Sequence, residues 1–199
     1  MRKKASAPSS KSVRPSGPVR EKTVSEIQHD TYPDSYIRTI LDDVKTIAMV
    51  GASPNTVRPS YFVLKYMLSK GYEVFPINPG HAGKEILGQT VYASLADVPS
   101  PIDMVDIFRN SDAALAVTQE ALQLSPLPKV IWMQLSVTNE EAARLAEAAG
   151  VRVVMNRCPK IEYGRLSGEI GWTGVNSRTL SAKRPALKGG FQHRGLRKD

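Results

Sequence analysis

The sequence is poor in cysteine and has no long apolar run. Its single cysteine, Cys158, excludes an internal disulfide and a cysteine-based zinc site, and a lone thiol is typical of a reducing compartment. Charged residues interrupt each apolar stretch well before the roughly 18 residues that a membrane-spanning helix needs. Ser and Pro follow the basic N-terminus, so no secretory signal is predicted. We therefore expect a cytoplasmic protein without a membrane span.

Positive charge is concentrated at the two ends of the chain. The net charge of +8 divides into +6 for residues 1–22, +6 for residues 178–199 and −4 for the residues between them. Both ends are polar and lack apolar periodicity, which predicts disordered basic tails at 1–33 and 167–199. Such tails allow a salt-dependent contact with nucleic acid, although a charged tail is more often solubilising.

Between the tails, short apolar runs alternate with segments of helical periodicity. The runs predict strands at 46–50, 72–77, 103–108, 129–133 and 151–155, and the periodic segments predict helices at 35–44, 61–70, 111–122 and 138–149. A further short strand near 90–92 and a helical turn at 94–97 are expected in the long loop after the second strand. Asp34 and the Thr138 segment are predicted to cap the first and last helices.

This alternation predicts the fold class. Strands joined through helices form a parallel sheet with right-handed crossovers and helices on both faces. A chain of 199 residues with 41% hydrophobic content is enough for one core of this kind. We expect a single Rossmann-like, doubly wound α/β domain of about five strands over residues 34–166.

The residues that follow the strands indicate an anion site. In a doubly wound sheet, ligands bind outside the carboxyl ends of the strands, where the strand order reverses. The first strand runs into Gly51-Ala52-Ser53 and then a helix, and a turn of this kind directs backbone amides at an anion. Arg58 and Arg109 lie at the same edge and are predicted to bind phosphate oxygens. An arginine in a loop away from this edge would be expected only to be solvated.

The pattern expected for NAD is missing. Ser53 and Thr56 stand where GxGxxG has its second and third glycines. The second strand ends in Asn78-Pro79 rather than in the acidic residue that binds the ribose of NAD. A neutral amide does not repel a phosphorylated ribose, and coenzyme A (CoA) carries a 3′-phosphate. The expected cofactor is therefore CoA.

These motifs together resemble the small stand-alone CoA-binding proteins. The matching segments, in chain order, are Ile47–Ser53, Arg58–Tyr61, Phe75–Pro79, Tyr92–Leu95, Val105–Arg109, Ile131–Leu135 and Asn156–Glu162. That family is similar to the CoA-binding N-terminal domain of the succinyl-CoA synthetase alpha subunit. The resemblance implies a Rossmann-like fold that binds CoA or an acyl-CoA. The phosphohistidine domain of the synthetase has no counterpart here, so we expect binding without catalysis.

The resemblance also implies roles for particular residues. Gly51, Ala52, Ser53 and Arg58 are expected to approach the phosphates, Asn78 and Pro79 to border the adenosine end, and Phe108 and Arg109 to line the opposite wall. Cys158 follows the last strand at the same edge. It either faces the CoA thiol, with which it would form a mixed disulfide, or is a small buried residue, and the second interpretation is favoured because free cysteines are usually buried.

The remaining candidates are assigned to the core or left without a role. Trp132 is predicted to be a core residue, and Asp106 would need a hydrogen-bonded partner if it is buried in its apolar strand. The three histidines are too scattered for a catalytic triad or a metal site. The alternative function on the same fold is an NAD(P)-dependent oxidoreductase or a nucleotide-sugar enzyme, for which no acid or base is obvious.

Overall fold

Residues 29–169 are the part of the chain that the structure, a computed structural model, describes. The strands are β1 (Thr46–Val50), β2 (Glu73–Ile77), β3 (Glu85–Ile86), β4 (Gln89–Thr90), β5 (Met104–Ile107), β6 (Val130–Met133) and β7 (Arg152–Val154). Five of them form a parallel sheet in the order β2-β1-β5-β6-β7, and β3 and β4 form a separate antiparallel hairpin. The predicted parallel sheet of five strands is confirmed.

Tyr92 extends the sheet by one residue beyond β2. Its N–H donates to the Pro76 carbonyl oxygen at 2.9 Å, its own carbonyl accepts from the Asn78 N–H at 2.9 Å, and the resulting bridge to Ile77 is parallel. If Tyr92 counts as a third strand, the order becomes 3-2-1-4-5-6, which is the Rossmann order. The expected strand at 90–92 thus exists as β4 followed by this bridge. The strand order reverses between β1 and β5.

Within residues 29–169, five helices cover the sheet. They are α1 (Asp34–Asp43), α2 (Pro59–Ser69), α3 (Ser111–Ala121), α4 (Glu140–Ala148) and α5 (Pro159–Leu166). Apolar side chains of α1, α2 and α5 pack in one core, and those of α3 and α4 pack in a second core. None of the helices in this part of the chain is long and apolar enough to span a bilayer. Helices on both faces confirm the doubly wound class.

Successive residues of each strand in the parallel sheet point alternately into the two cores. In β1, Ile47 and Met49 belong to the core beneath α1, α2 and α5, and Ala48 belongs to the core beneath α3 and α4. Trp132 is fully buried, as predicted, and its indole N–H donates to the Arg157 carbonyl oxygen at 2.8 Å. Burial on both faces explains the predominantly apolar sequences of the central strands, in which Asp106 of β5 is a buried exception.

The predicted cap of α1 is wrong, and the cap of α4 lies within the predicted segment. Pro33 occupies the position before α1, and Asp34 is the first helical residue, where its carboxylate lies at the positive end of the helix without capping it. At α4, the side chain of Asn139 rather than Thr138 accepts a hydrogen bond, from the Ala142 N–H at 2.8 Å. A short polar run offers several side chains able to cap, and the backbone geometry decides among them.

The described chain also departs from the expected boundaries of the domain. Residues 29–33, which the sequence patterns assign to the N-terminal tail, pack against the domain: Tyr32 is buried and its hydroxyl accepts from the Met155 N–H at 2.8 Å. The sequence patterns also do not predict the helix α5. The expectations for residues 1–28 and 170–199, including disorder and nucleic-acid contact, lie outside the described residues.

Candidate functional site

A cavity of about 520 Å³ opens at the carboxyl ends of β1, β5 and β6. This is where the strand order reverses, the position at which doubly wound folds bind their ligands. The volume lies within the range of roughly 300–1,000 Å³ that small-molecule sites occupy. The lining residues are Gly51, Ser53, Arg58, Pro59, Ser60, Val63, Phe108, Arg109, Gln134, Leu135, Val137 and Cys158.

Gly51 makes the turn at the end of β1. Its φ is +91°, and a Cβ there would lie 2.5 Å from the Phe108 carbonyl oxygen and 3.0 Å from the Arg109 Cδ. The neighbouring strands hold the turn in place, because the Gly51 N–H donates to Ile77 and the Phe108 N–H donates to Val50. Only glycine therefore allows the loop after β1 to approach the loop after β5 this closely.

The two amides after Gly51 are free of protein partners. The N–H groups of Ala52 and Ser53 donate to no acceptor among residues 29–169. Ser53 lines the cavity, whereas Ala52 is fully buried. Backbone N–H groups in folded proteins are nearly always paired with protein, water or ligand, so this turn has donor capacity to offer a ligand.

Asn78 holds the Gly51–Ser53 turn in place rather than facing the cavity. Its side-chain N–H donates to the Ala52 carbonyl oxygen at 2.7 Å, and its side-chain oxygen accepts from the Gly80 N–H at 3.0 Å. Pro79 begins the short 3-10 helix Pro79–His81 and is exposed. Neither residue lines the cavity, so the neutral end of β2 borders the site from the side.

Two arginines at the cavity contribute positive charge that no acidic residue among 29–169 neutralises. Arg58 and Arg109 are exposed and line the cavity, and neither forms an ion pair or a side-chain hydrogen bond within residues 29–169. Arg152 and Arg165, by contrast, pair with Asp43 and Asp34. An unpaired cationic pair at the mouth of a cavity attracts an anionic ligand.

Two helices begin beside the cavity. Both α2 and α5 have proline at their first position, and neither the preceding Arg58 nor Cys158 forms a side-chain capping hydrogen bond. Ser60 of the first turn of α2 is buried and lines the cavity. The partial positive charge of the α2 N-terminus therefore adds to that of the arginines.

A buried polar pair lies behind the cavity. Asp106 is fully buried in β5, and the Gln134 side-chain N–H donates to its Oδ1 at 2.8 Å, so the expected hydrogen-bonded partner is present. The second carboxyl oxygen, Oδ2, has no partner among the described residues. Burial raises the pKa of Asp106 to about 8, and the hydrogen bond from Gln134 opposes the shift.

Cys158 is buried and still borders the cavity. Its exposed fraction is 6%. Burial raises the pKa of the thiol, and the nearby amides of Ile161 and Lys160 oppose this in part. The thiol is therefore protonated near neutral pH, and a protonated thiol is a poor nucleophile.

The structure brings six of the nine residues chosen from sequence to one cavity: Gly51, Ser53, Arg58, Phe108, Arg109 and Cys158. Ala52, Asn78 and Pro79 lie beside it. Ser60, Val63, Leu135 and Val137 also line it but were not candidates, because a helix turn and a loop place them there without a chemical signal in the sequence.

Comparison with known proteins identifies the family. The profile of the CoA binding domain matches residues 45–164, which is more than half of the chain. The chain belongs to this CoA-binding domain family. The resemblance inferred from the sequence motifs is confirmed, and the matched residues span all seven strands within residues 29–169, the helices α2, α3 and α4, and most of α5.

Relatives of the CoA-binding domain occur in bacteria and archaea. An uncharacterized protein of Bacillus subtilis, YneT, is 37% identical over 127 residues, covering 64% of this chain and 91% of that protein. A hypothetical protein of Pyrococcus horikoshii OT3 has a solved structure with 40% identity and a TM-score of 0.65, covering 70% of this chain and 95% of that one. A Thermus thermophilus structure has 36% identity and a TM-score of 0.64, with coverages of 68% and 99%.

A longer relative is the ADP-forming acetate–CoA ligase I of Archaeoglobus fulgidus. It is 24% identical over 147 residues, which are 70% of this chain and 21% of the ligase. The CoA-binding domain therefore corresponds to about a fifth of that enzyme.

Proposed function

We propose that this chain binds CoA or an acyl-CoA in the cavity at the carboxyl ends of β1, β5 and β6. The observation that carries the proposal is the pair Arg58 and Arg109, which line this cavity without an anionic partner among residues 29–169. Gly51 and Ser53 line the same cavity, and the amides of Ala52 and Ser53 have no partner among residues 29–169. Charge-assisted hydrogen bonds from both sources suit phosphate oxygens.

The proposed arrangement runs along the strand ends. The phosphates lie at Gly51–Ser53 and Arg58, and the adenosine end lies toward Asn78 and Pro79, where no carboxylate repels a ribose phosphate. Phe108 and Arg109 form the opposite wall. The rest of the ligand then extends past β6 toward Cys158.

The proposal includes no reaction catalysed by this chain. The titratable side chains that line the cavity are Arg58, Arg109 and Cys158. An arginine stays protonated in proteins, and burial raises the pKa of the Cys158 thiol, so none of the three is a general base near neutral pH. The comparisons lend no support to the NAD(P) alternative.

Two measurements test the ligand assignment. Small molecules released from the denatured, purified protein are identified by mass spectrometry, and titration calorimetry compares CoA with NADPH under the same conditions. CoA or an acyl-CoA is expected in the released fraction, or CoA binding is expected after the ligand has been removed. Binding of NADPH without binding of CoA would refute the proposal.

A further inference from the structure

Gln134 combines burial with a position on the cavity wall. It follows β6, is 6% exposed, and is one of the residues that line the cavity. Its Nε2 donates to the Asp106 Oδ1 at 2.8 Å. Its other polar atom, Oε1, accepts no hydrogen bond from residues 29–169. The side chain thus has one end used by the protein and one acceptor available to a ligand.

Asp106 determines which end of the Gln134 amide is available. The carboxyl group is fully buried in β5, where Asp106 pairs in register with Trp132 of β6 and Met49 of β1. Its Oδ1 accepts from the NH₂ end of the Gln134 amide at 2.8 Å, so the protein engages this end of the amide and leaves the oxygen end unengaged by Asp106. Trp132 does not compete for the Asp106 carboxyl group, because its indole N–H donates to the Arg157 carbonyl oxygen.

The chemistry of the ligand indicates what Oε1 binds. If the phosphates lie at Gly51–Ser53, the pantetheine arm of CoA runs over the ends of β5 and β6, past Gln134, toward Cys158. That arm carries two secondary amides, each with an N–H donor. An acceptor that a bound ligand covers but leaves unpaired costs free energy, so such an acceptor discriminates between ligands with and without a matching donor.

Building on the proposed function, we propose that Gln134 Oε1 accepts a hydrogen bond from a pantetheine amide N–H, and that Asp106 is the positioning residue that orients Gln134. This assigns recognition of the pantetheine arm to the β5–β6 pair, separately from the phosphate contacts of Arg58 and Arg109. The site thereby selects CoA over nucleotides that share its phosphates but lack the arm.

The test compares two ligands on one variant. CoA and adenosine 3′,5′-bisphosphate, which lacks the pantetheine arm, are titrated calorimetrically into the wild-type protein and into Gln134→Met. We expect the variant to bind CoA about tenfold more weakly, the effect of one buried hydrogen bond, and to bind the bisphosphate within about twofold of wild type.

Each other outcome has one meaning. Unchanged CoA binding by Gln134→Met overturns the inference and leaves the proposed function intact. An equal loss for both ligands overturns it too, because it shows a general structural role. If the wild-type protein does not bind CoA at all, the proposed function itself fails.

Variants of Asp106 test the positioning role. Asp106→Asn keeps an oxygen that accepts from Gln134 and is expected to bind CoA within about threefold of wild type. Asp106→Leu removes the acceptor and is expected to lose CoA affinity selectively, as Gln134→Met does. Equal CoA affinities for these two variants would overturn the positioning role. If Asp106→Leu does not fold, the two-ligand comparison on Gln134→Met decides.

Thr118→Val is the matched control. Thr118, like Asp106, is fully buried with an oxygen that has no partner among residues 29–169, but it lies in α3, away from the cavity lining. It is expected to leave the affinity for both ligands unchanged. A selective loss of CoA binding in this variant would show that the assay reports burial of polar groups in general and would overturn the inference.

Discussion

Gly51 and Phe108 approach each other so closely that a Cβ on residue 51 would lie 2.5 Å from the Phe108 carbonyl oxygen. This contact joins the loops after β1 and β5, the two strands between which the sheet order reverses. The floor of the proposed phosphate site is therefore made by backbone, and its shape depends on the absence of a side chain.

Replacement of Gly51 tests this close approach. Gly51→Ala is expected to lower the free energy of unfolding by about 2–4 kcal/mol, because a backbone conformation unfavourable to alanine is combined with a steric clash. Gly71→Ala is the control, since Gly71 also has a positive φ, +87°, but a methyl group at this position would have no atom within 4 Å. The free energy of unfolding of Gly71→Ala should fall by only about 1–2 kcal/mol. Equal losses in urea denaturation would contradict the account.

Asp106 should give the protein a measurable pH dependence. Its pKa is raised from 3.8 to about 8 by burial, so the folded protein holds this proton more tightly than the unfolded chain does. The contribution of this group to the free energy of unfolding therefore falls as pH rises from about 4 to about 8, by at most about 1.4 kcal/mol per pH unit. Asp106→Asn removes that dependence.

The corresponding measurement is urea denaturation of both proteins at several pH values between about 5 and about 9, a range that spans the raised pKa. The stability of Asp106→Asn relative to wild type should increase with pH up to about 8 and then level off. Parallel curves for the two proteins would mean that Asp106 titrates normally and is not held neutral by burial.

The Cys158 thiol should react slowly in the folded protein. It is 6% exposed and burial raises its pKa, so both access and thiolate content are low. A chromogenic disulfide reagent at about pH 7.5, below the usual thiol pKa, is expected to label it much more slowly than it labels the denatured chain. Saturating CoA should slow labelling further. Rapid labelling of the folded protein would instead support the mixed-disulfide interpretation.

Several elements can be predicted because their apolar patterns are local. The apolar run that ends at Gly51 predicts β1 at 46–50, and the strand is found at Thr46–Val50. The helix α5 escapes prediction because Pro159, Lys160 and Glu162 obscure its periodicity. Glu162 is buried, and it pairs with Arg165 in the same helix and with Arg157. Arg165 also pairs with Asp34 of α1, and that contact depends on tertiary structure.

In the candidate site, too, some features follow from local sequence and others depend on tertiary structure. Strand ends can be located from sequence, so Gly51, Arg58 and Arg109 can be placed at one edge. The direction in which a side chain points cannot be predicted from sequence in the same way. Asn78, for example, turns toward the Ala52 carbonyl oxygen rather than into the cavity. The contact between Asp106 and Gln134 arises from the pairing of β5 with β6, which a single sequence does not specify.

The central claim is that Arg58 and Arg109 bind the phosphates of CoA, and calorimetric titration of CoA into three variants tests it most directly. Arg58→Gln and Arg109→Gln should each weaken binding about ten- to a hundredfold, the effect of losing a charge-assisted hydrogen bond. Arg144→Gln removes an exposed arginine of α4 outside the cavity lining and should bind as wild type does. CoA affinity that is the same in all three variants would contradict the account.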